Sequence, residues 1–205
     1  MILGNRFVKV MRADAEAMKK TLNTLQETVT LWVECQRQWC YLENIFQAQD
    51  IKKNLAKEST QFDAVDKFFK QTMTKASKVQ ANCFRFLRAN PRIVEDFNKN
   101  NGELEYIQKK LEDYMEVKRG VFPRFYFLSN DDLLEILANS DNKDVISLHL
   151  KTLFDGLVRL TFKDDSIMKM HSKEGEDVEL TKPVRMKNGV ETWLQQVQDV
   201  MKETV

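Results

Sequence analysis

Few side chains in this 205-residue sequence are placed to do chemistry. A phosphate-binding loop needs glycines whose amides cradle the phosphates, then Lys-Ser/Thr. None of the six glycines, at 4, 102, 120, 156, 175 and 189, is followed by Lys. His149 and His171 are too few and too far apart for a zinc-binding helix, and there is no Gly-x-Ser-x-Gly elbow. Cys35, Cys40 and Cys83 fit no zinc spacing and cannot all pair with one another. On a helix the first two would lie about 140° apart around the axis, poor geometry for joint ligation. A reducing compartment is therefore expected. Asp131, Asp132 and Glu135 can face one another, yet capping a helix accounts for the first pair. His171 falls on a predicted strand and reads as structural or exposed, not as a base. The expectation is no catalytic residue, no metal and no cofactor site.

Charge narrows the partners. There are 32 Lys and Arg against 31 Asp and Glu, a net charge of +1, with no long run of one sign. A nucleic-acid binder would carry a basic stripe on a basic domain, so no nucleic acid is expected. Unbroken apolar runs reach about four residues, as in Phe125-Tyr126-Phe127-Leu128, against the roughly 20 that cross a bilayer, so no membrane is expected either. Met-Ile-Leu-Gly-Asn-Arg lacks the basic and apolar regions of a leader. The end at Thr204-Val205 has no capping logic and reads as a cut.

The elements that would position these residues are mostly helices. Gly and Pro number only six and three, well under the averages of about 7% and 5%. Residues 6–46 read as one long helix, or two joined end to end, on which Met18, Leu22, Leu25, Val29, Trp32 and Trp39 recur at steps of three, four or seven. Trp32, Trp39, Tyr41 and Phe46 read as its packing anchors. Forty such residues would reach about 60 Å, which predicts an elongated, arch-like helical bundle. A short helix is expected over 50–55, then one capped by Thr60 that buries Phe62, Val65 and Phe69. Asn90-Pro91 should open a short helix that Asn101-Gly102 ends. An amphipathic helix over 103–118, on Leu104, Ile107, Leu111, Tyr114 and Met115, should stop at Gly120.

Phe122 precedes Pro123 and is pushed out of the α region. Residues 121–128 are therefore expected to be extended, wedged between helices, with at least two of Phe122, Phe125 and Phe127 buried. Ser129 should cap a helix carrying Leu133, Leu134, Ile136 and Leu137, and Asp141 the next one. The period then changes to two. Leu160 and Phe162, Ile167 to His171, and Val178 and Leu180 predict an antiparallel β-meander near residues 158–180, followed by a helix over 189–203. The fold class is mostly α, with residues 1–157 helical and 158–205 forming the meander and last helix.

The aromatic segments carry a resemblance. Residues 32–46, WVECQRQWCYLENIF, are similar to the Trp-x-x-x-Gln-Arg-x-Trp-x-Tyr-Leu-Glu-x-Ile-Phe stretch of dynein heavy chains. Residues 117–137, VKRGVFPRFYFLSNDDLLEIL, resemble the same family's Lys-Arg-x-x-Phe-Pro-Arg-Phe-Tyr-Phe-Leu-Ser-Asn-Asp-x-Leu-Leu-Glu-Ile-Leu. Ser172-Lys173-Glu174-Gly175-Glu176 and Asn5-Arg6-Phe7-Val8 match further points in order. Asn44, Ala56 and Phe69 depart from the Pro, Pro and Trp common there. The matches look more axonemal than cytoplasmic.

That resemblance implies the linker (N-terminal region 2), a helical lever that crosses an AAA+ ring and couples its ATP cycle to minus-end-directed movement on microtubules. It implies no cofactor in this stretch and Mg-ATP in the AAA+ modules of the parent chain. Partners would be the heavy chain's own ring, microtubules, and dynein intermediate and light chains, in the cytoplasmic cytoskeleton of a cilium or flagellum axoneme. Lys169, Lys173, Glu174 and Glu176, on a turn-rich projection bearing both signs of charge, would be where the ring is touched. The alternative is a non-catalytic helical scaffold or interaction module.

Overall fold

The computed structural model describes residues 8–79 and 82–205. Arg6 and Phe7 of the predicted first helix, and Asn5-Arg6-Phe7 of the motif there, lie outside the described residues. Eight α-helices and a three-stranded sheet follow in order: α1 (Arg12–Ile45), α2 (Gln49–Asn54), α3 (Ala56–Lys78), α4 (Cys83–Ala89), α5 (Ile93–Val121), α6 (Asn130–Ala138), α7 (Lys143–Leu153), β1 (Leu157–Lys163), β2 (Ser166–Ser172), β3 (Asp177–Arg185) and α8 (Val190–Thr204). Short 3-10 turns cover Val8–Met11 and Pro123–Phe127. The fold is mostly α with a small antiparallel meander, as expected.

Contacts divide the chain into two units, and not at residue 157. One joins the chain up to Asn44 with Lys57–Gln108; the other joins Ile45–Ala56 with Lys109–Val205.

In the first unit, the buried line of α1 is Thr28, Cys35 and Leu42, with Met18, Leu22 and Val29 exposed. The apolar stripe read from the sequence is thus rotated from the packed one. Trp32 meets Phe86 and Phe97 at ring separations of 5.3 and 5.5 Å. Trp39 stacks on Phe69 at 4.7 Å and donates its indole N–H to Asp66 Oδ1 at 2.9 Å. α3 begins at Ala56, not Thr60, because burial of Ser59, Phe62, Val65, Phe69 and Thr72 carries one continuous face. Ala56 is the first helical position, where the family's proline would also fit.

α5 runs unbroken through Asn101-Gly102, against expectation. Asn101 is buried and donates to the Leu31 carbonyl at 3.1 Å. Gly102 costs about 1 kcal/mol in a helix, less than burial of Ile93, Phe97, Leu104 and Ile107 returns. Asn90 ends α4 and its carbonyl accepts from the Ile93 amide, so α5 starts two residues late.

In the second unit, helix continues past Gly120 to Val121, and Pro123 ends it. Residues 121–128 are then not a strand. Phe122 and Leu128 are extended, as a residue before proline must be, but Pro123–Phe127 coil into a 3-10 turn. Ser129 caps α6 by accepting from the Asp132 amide at 3.1 Å. Asn142, one residue beyond the expected Asp141, caps α7. The sheet is ordered β1-β2-β3, with α7 against β1 and α8 against β3. Bulges fall at Leu157/Arg159, Thr161/Phe162 and Ile167/Lys169. β3 extends to Arg185, beyond the predicted end of the meander.

Candidate functional site

The aromatic turn of the second unit is a clasp. Phe122 and Phe125 are fully buried and meet edge-to-face at 5.0 Å, with Phe154 at 6.0 Å from Phe122. Arg124 ties the turn to its neighbours. Its Nη1 donates to the Leu153 carbonyl at 2.8 Å, its Nε to Gln198 Oε1 at 2.6 Å, and its guanidinium lies 4.9 Å from the Phe154 ring centre. Pro123 opens the 3-10 turn. Leu134 is buried on α6. Tyr126 and Phe127 point to solvent, with Tyr126 bonded to Glu116. Phe46 is buried, Trp32 and Trp39 are half-buried, and Tyr41 is exposed.

The predicted docking residues sit on and beside the β2–β3 turn. Lys173, Glu174 and Glu176 are exposed at its tip. Ser172 closes the turn, its amide donating to the Glu176 carbonyl at 2.9 Å and its Oγ accepting from the Glu176 amide at 3.0 Å. Gly175 holds φ +89, which L side chains rarely adopt. Lys169 is apart from them, in mid-strand, and pairs with Glu179 across β2 and β3 at 2.8 Å. That bond raises the Lys169 pKa and lowers that of Glu179.

Behind the turn, three strands contribute Thr161, His171 and Asp177. His171 is buried. Its Nδ1 lies 2.5 Å from Asp177 Oδ1 and its Nε2 2.6 Å from Thr161 Oγ1. The order carboxylate, imidazole, hydroxyl is that of a nucleophilic triad. Its position is different: Thr161 lies in the middle of edge strand β1 opposite Lys169, within the β1–β2 ladder. The chain of bonds satisfies a buried ring and ties the strands together. Sequence reasoning placed His171 on a strand, as structural or exposed, and missed both partners because cross-strand register decides them.

A second histidine gains partners in the same way. His149 Nε2 lies 3.1 Å from Glu135 Oε2, and Asp132, Glu135 and His149 each offer a ligand atom within 4.8 Å of the others. These are the residues that could hold a divalent cation. Two features oppose it. Asp132 already accepts from the Ser129 hydroxyl at 2.6 Å, and the first turn of a helix favours anions. The short α6–α7 connection was the available signal for pairing Glu135 with His149.

The second unit also buries an ion pair. Lys118 Nζ lies 2.5 Å from Glu191 Oε1, and Glu191 Oε2 is buried without a hydrogen-bond partner among the described residues. Gly189, at φ +92, leaves room for that carboxylate: a Cβ there would stand 2.7 Å from Oε1. Burial, then the charges of Glu191 and Asp50, push the neighbouring Tyr114 hydroxyl up to about 12.

The family model described as "Dynein heavy chain, N-terminal region 2" matches residues 1–205. The chain is similar to "Dynein axonemal heavy chain 6" of Homo sapiens, 37% identical over 220 residues, covering 98% of this chain and 5% of that protein. It is 40% identical over 209 residues to "Dynein axonemal heavy chain 2" of Mus musculus, covering 98% and 5%. Against "Dynein beta chain, ciliary" of Tripneustes gratilla it is 36% identical over 212 residues, covering 100% and 5%. The chain thus spans about 5% of the length of these relatives. No described helix is long and apolar enough to cross a membrane.

Proposed function

The chain belongs to the dynein heavy chain family, and from that premise we propose that it is a segment of the linker, the lever that turns ATP-driven changes of an AAA+ ring into minus-end-directed movement along microtubules. The end-to-end match with N-terminal region 2 carries this reading. A lever needs stiff, well-anchored helices, and the Arg124 clasp, which fastens the aromatic turn to α7 and α8, supplies such anchoring. Mg-ATP binds in the AAA+ modules of the parent chain, and this segment hydrolyses nothing. The parent complex works in the axoneme of a cilium or flagellum, with microtubules and dynein intermediate and light chains as partners. Arg124→Ala in the full heavy chain tests the lever, read by microtubule gliding beside ATP turnover. Slower gliding with turnover retained is expected; gliding unchanged in a variant whose melting temperature has fallen overturns it.

The exposed tip at Lys173, Glu174 and Glu176, together with Lys169 in mid-strand, is the surface proposed to touch the ring. Polar contacts of both signs form and release readily, whereas a wide apolar contact would hold one state. Reversing Lys169, Lys173 and Glu176 together should slow gliding and alter microtubule-stimulated ATP turnover while the fold of this chain is unchanged. Unaltered motility would leave the tip as a solvated turn.

A further inference from the structure

Thr28 is the first buried residue of α1, so the turns before it contribute nothing to the core. They are not polar all round. Met11, Ala15, Met18, Leu22, Leu25 and Val29 follow one another at steps of four, three, four, three and four. That is a strict 3.5-residue repeat over about 27 Å. A helix that only faced a core would show a wider stripe on the 3.6-residue period. Met11, Met18, Leu22 and Val29 are 64, 54, 48 and 48% exposed, with Ala15 and Leu25 half-buried beside them. In heptad terms Ala15, Leu22 and Val29 stand at a, and Met11, Met18 and Leu25 at d. A β-branched residue at a with Leu at d, as in Val29 and Leu25, favours two strands.

Charge along this seam is sorted by side. The residues that follow each d position are Arg12, Lys19 and Gln26, and those that precede each a position are Asp14, Thr21 and Thr28. One edge is basic and the other acidic. Asp14 and Lys19 are exposed, and neither has an ion pair among the described residues. Two such helices lying parallel and in register bring each edge against the opposite edge of the other. Asp14 of one then meets Lys19 of its partner, twice in the pair. Antiparallel helices would set acidic edge on acidic edge and basic on basic.

We propose that α1 pairs with α1 of a second copy of this chain, parallel and in register from Met11 to Val29, as a two-stranded coiled coil. The same surface serves both copies, so the interface closes on itself and stops at a dimer. A foreign helix would have to bring the matching order of charges, which a second copy already carries. The coil is short, and a dissociation constant in the micromolar range is expected.

The test is sedimentation equilibrium of the whole 205-residue chain from about 1 to 500 μM. A monomer–dimer equilibrium is expected. Leu22→Glu should weaken it about tenfold or more, with the melting temperature of the dilute chain unchanged because Leu22 lies outside the core. Asp14→Lys sets like charges opposite one another in the pair, and so does Lys19→Asp. Each alone should weaken self-association about three- to tenfold at low salt. Mixed one to one, the two variants restore opposite charges at both contacts, and the mixture should dimerise as the parent does. A loss of fold stability in either variant could not produce that recovery. A chain that stays monomeric at about 500 μM, association that Leu22→Glu leaves intact, or a mixture that dimerises no better than either variant alone overturns the proposal.

Discussion

Phe125 and Phe127 stand two residues apart in one aromatic run, and the 3-10 turn sends them to opposite environments. Phe125→Ala should cost about 3 to 5 kcal/mol, whereas Phe127, 67% exposed, should be replaceable by Ala within about 0.5 kcal/mol; urea melts of the two variants check the contrast. Lys118→Ala would strand the buried Glu191 carboxylate and should cost about 3 to 5 kcal/mol, while Lys118→Met with Glu191→Leu should cost less than the single change. Cys35 is buried, and burial followed by the Glu34 charge pushes its thiol up to about 11 from 9.0. The folded chain therefore keeps protons on Cys35 and Tyr114 that the unfolded chain releases first. Stability contributed by these groups is complete below about pH 9 and falls as pH rises toward 11 and 12. Thermal melts from pH 8 to 11 should show that decline, and Cys35→Ser should flatten it. Iodoacetamide at pH 8 should label the exposed Cys40 and Cys83 well before Cys35, as mass spectrometry would record.

Elements were legible wherever one local signal dominated. Ser129 four residues before Leu133 announced α6, and its hydroxyl makes the predicted cap; Ser129→Ala should cost about 1 kcal/mol in a chemical melt. The period-two runs gave the meander, with β1, β2 and β3 in the expected order. Signals that competed with tertiary packing misled. Asn101-Gly102 has the local chemistry of a stop, yet a bond from Asn101 to α1 and a continuous buried face hold α5 straight through it. Phe122-Pro123 fixed only the residue before the proline, and the extended form stopped there. The long helix was visible, but its burial angle was not, since Thr28 and Cys35 sit inward where the larger Met18, Leu22 and Val29 do not. Of the chemical groups, His171 reads from the sequence as structural or exposed, and its partners could not be read there. Partners 10 residues before and 6 after become neighbours only once two bulged registers are set.

At the scale of the whole molecule, the absence of a Lys-Ser/Thr phosphate loop in the sequence predicts that this chain binds Mg-ATP no tighter than about millimolar. Isothermal titration checks it, and micromolar affinity would overturn the reading of the chain as a passive lever. The interleaved division into units has its own consequence, one that concerns the ribosome. α1 belongs to a unit whose other half is not complete until Gln108. At roughly 5 to 20 residues per second of synthesis, α1 waits several seconds beside no partner, with Trp32, Trp39 and Cys35 bare. A cut after Gln108 keeps every residue of the first unit, and one before Ile45 every residue of the second, but each carries part of the other unit with it; a nascent chain paused after α2 would be a substrate for chaperones that hold apolar helices. Ribosome-bound chains ending near Asn54 should therefore be digested by protease within α1, and those long enough to have released Gln108 from the exit tunnel should not.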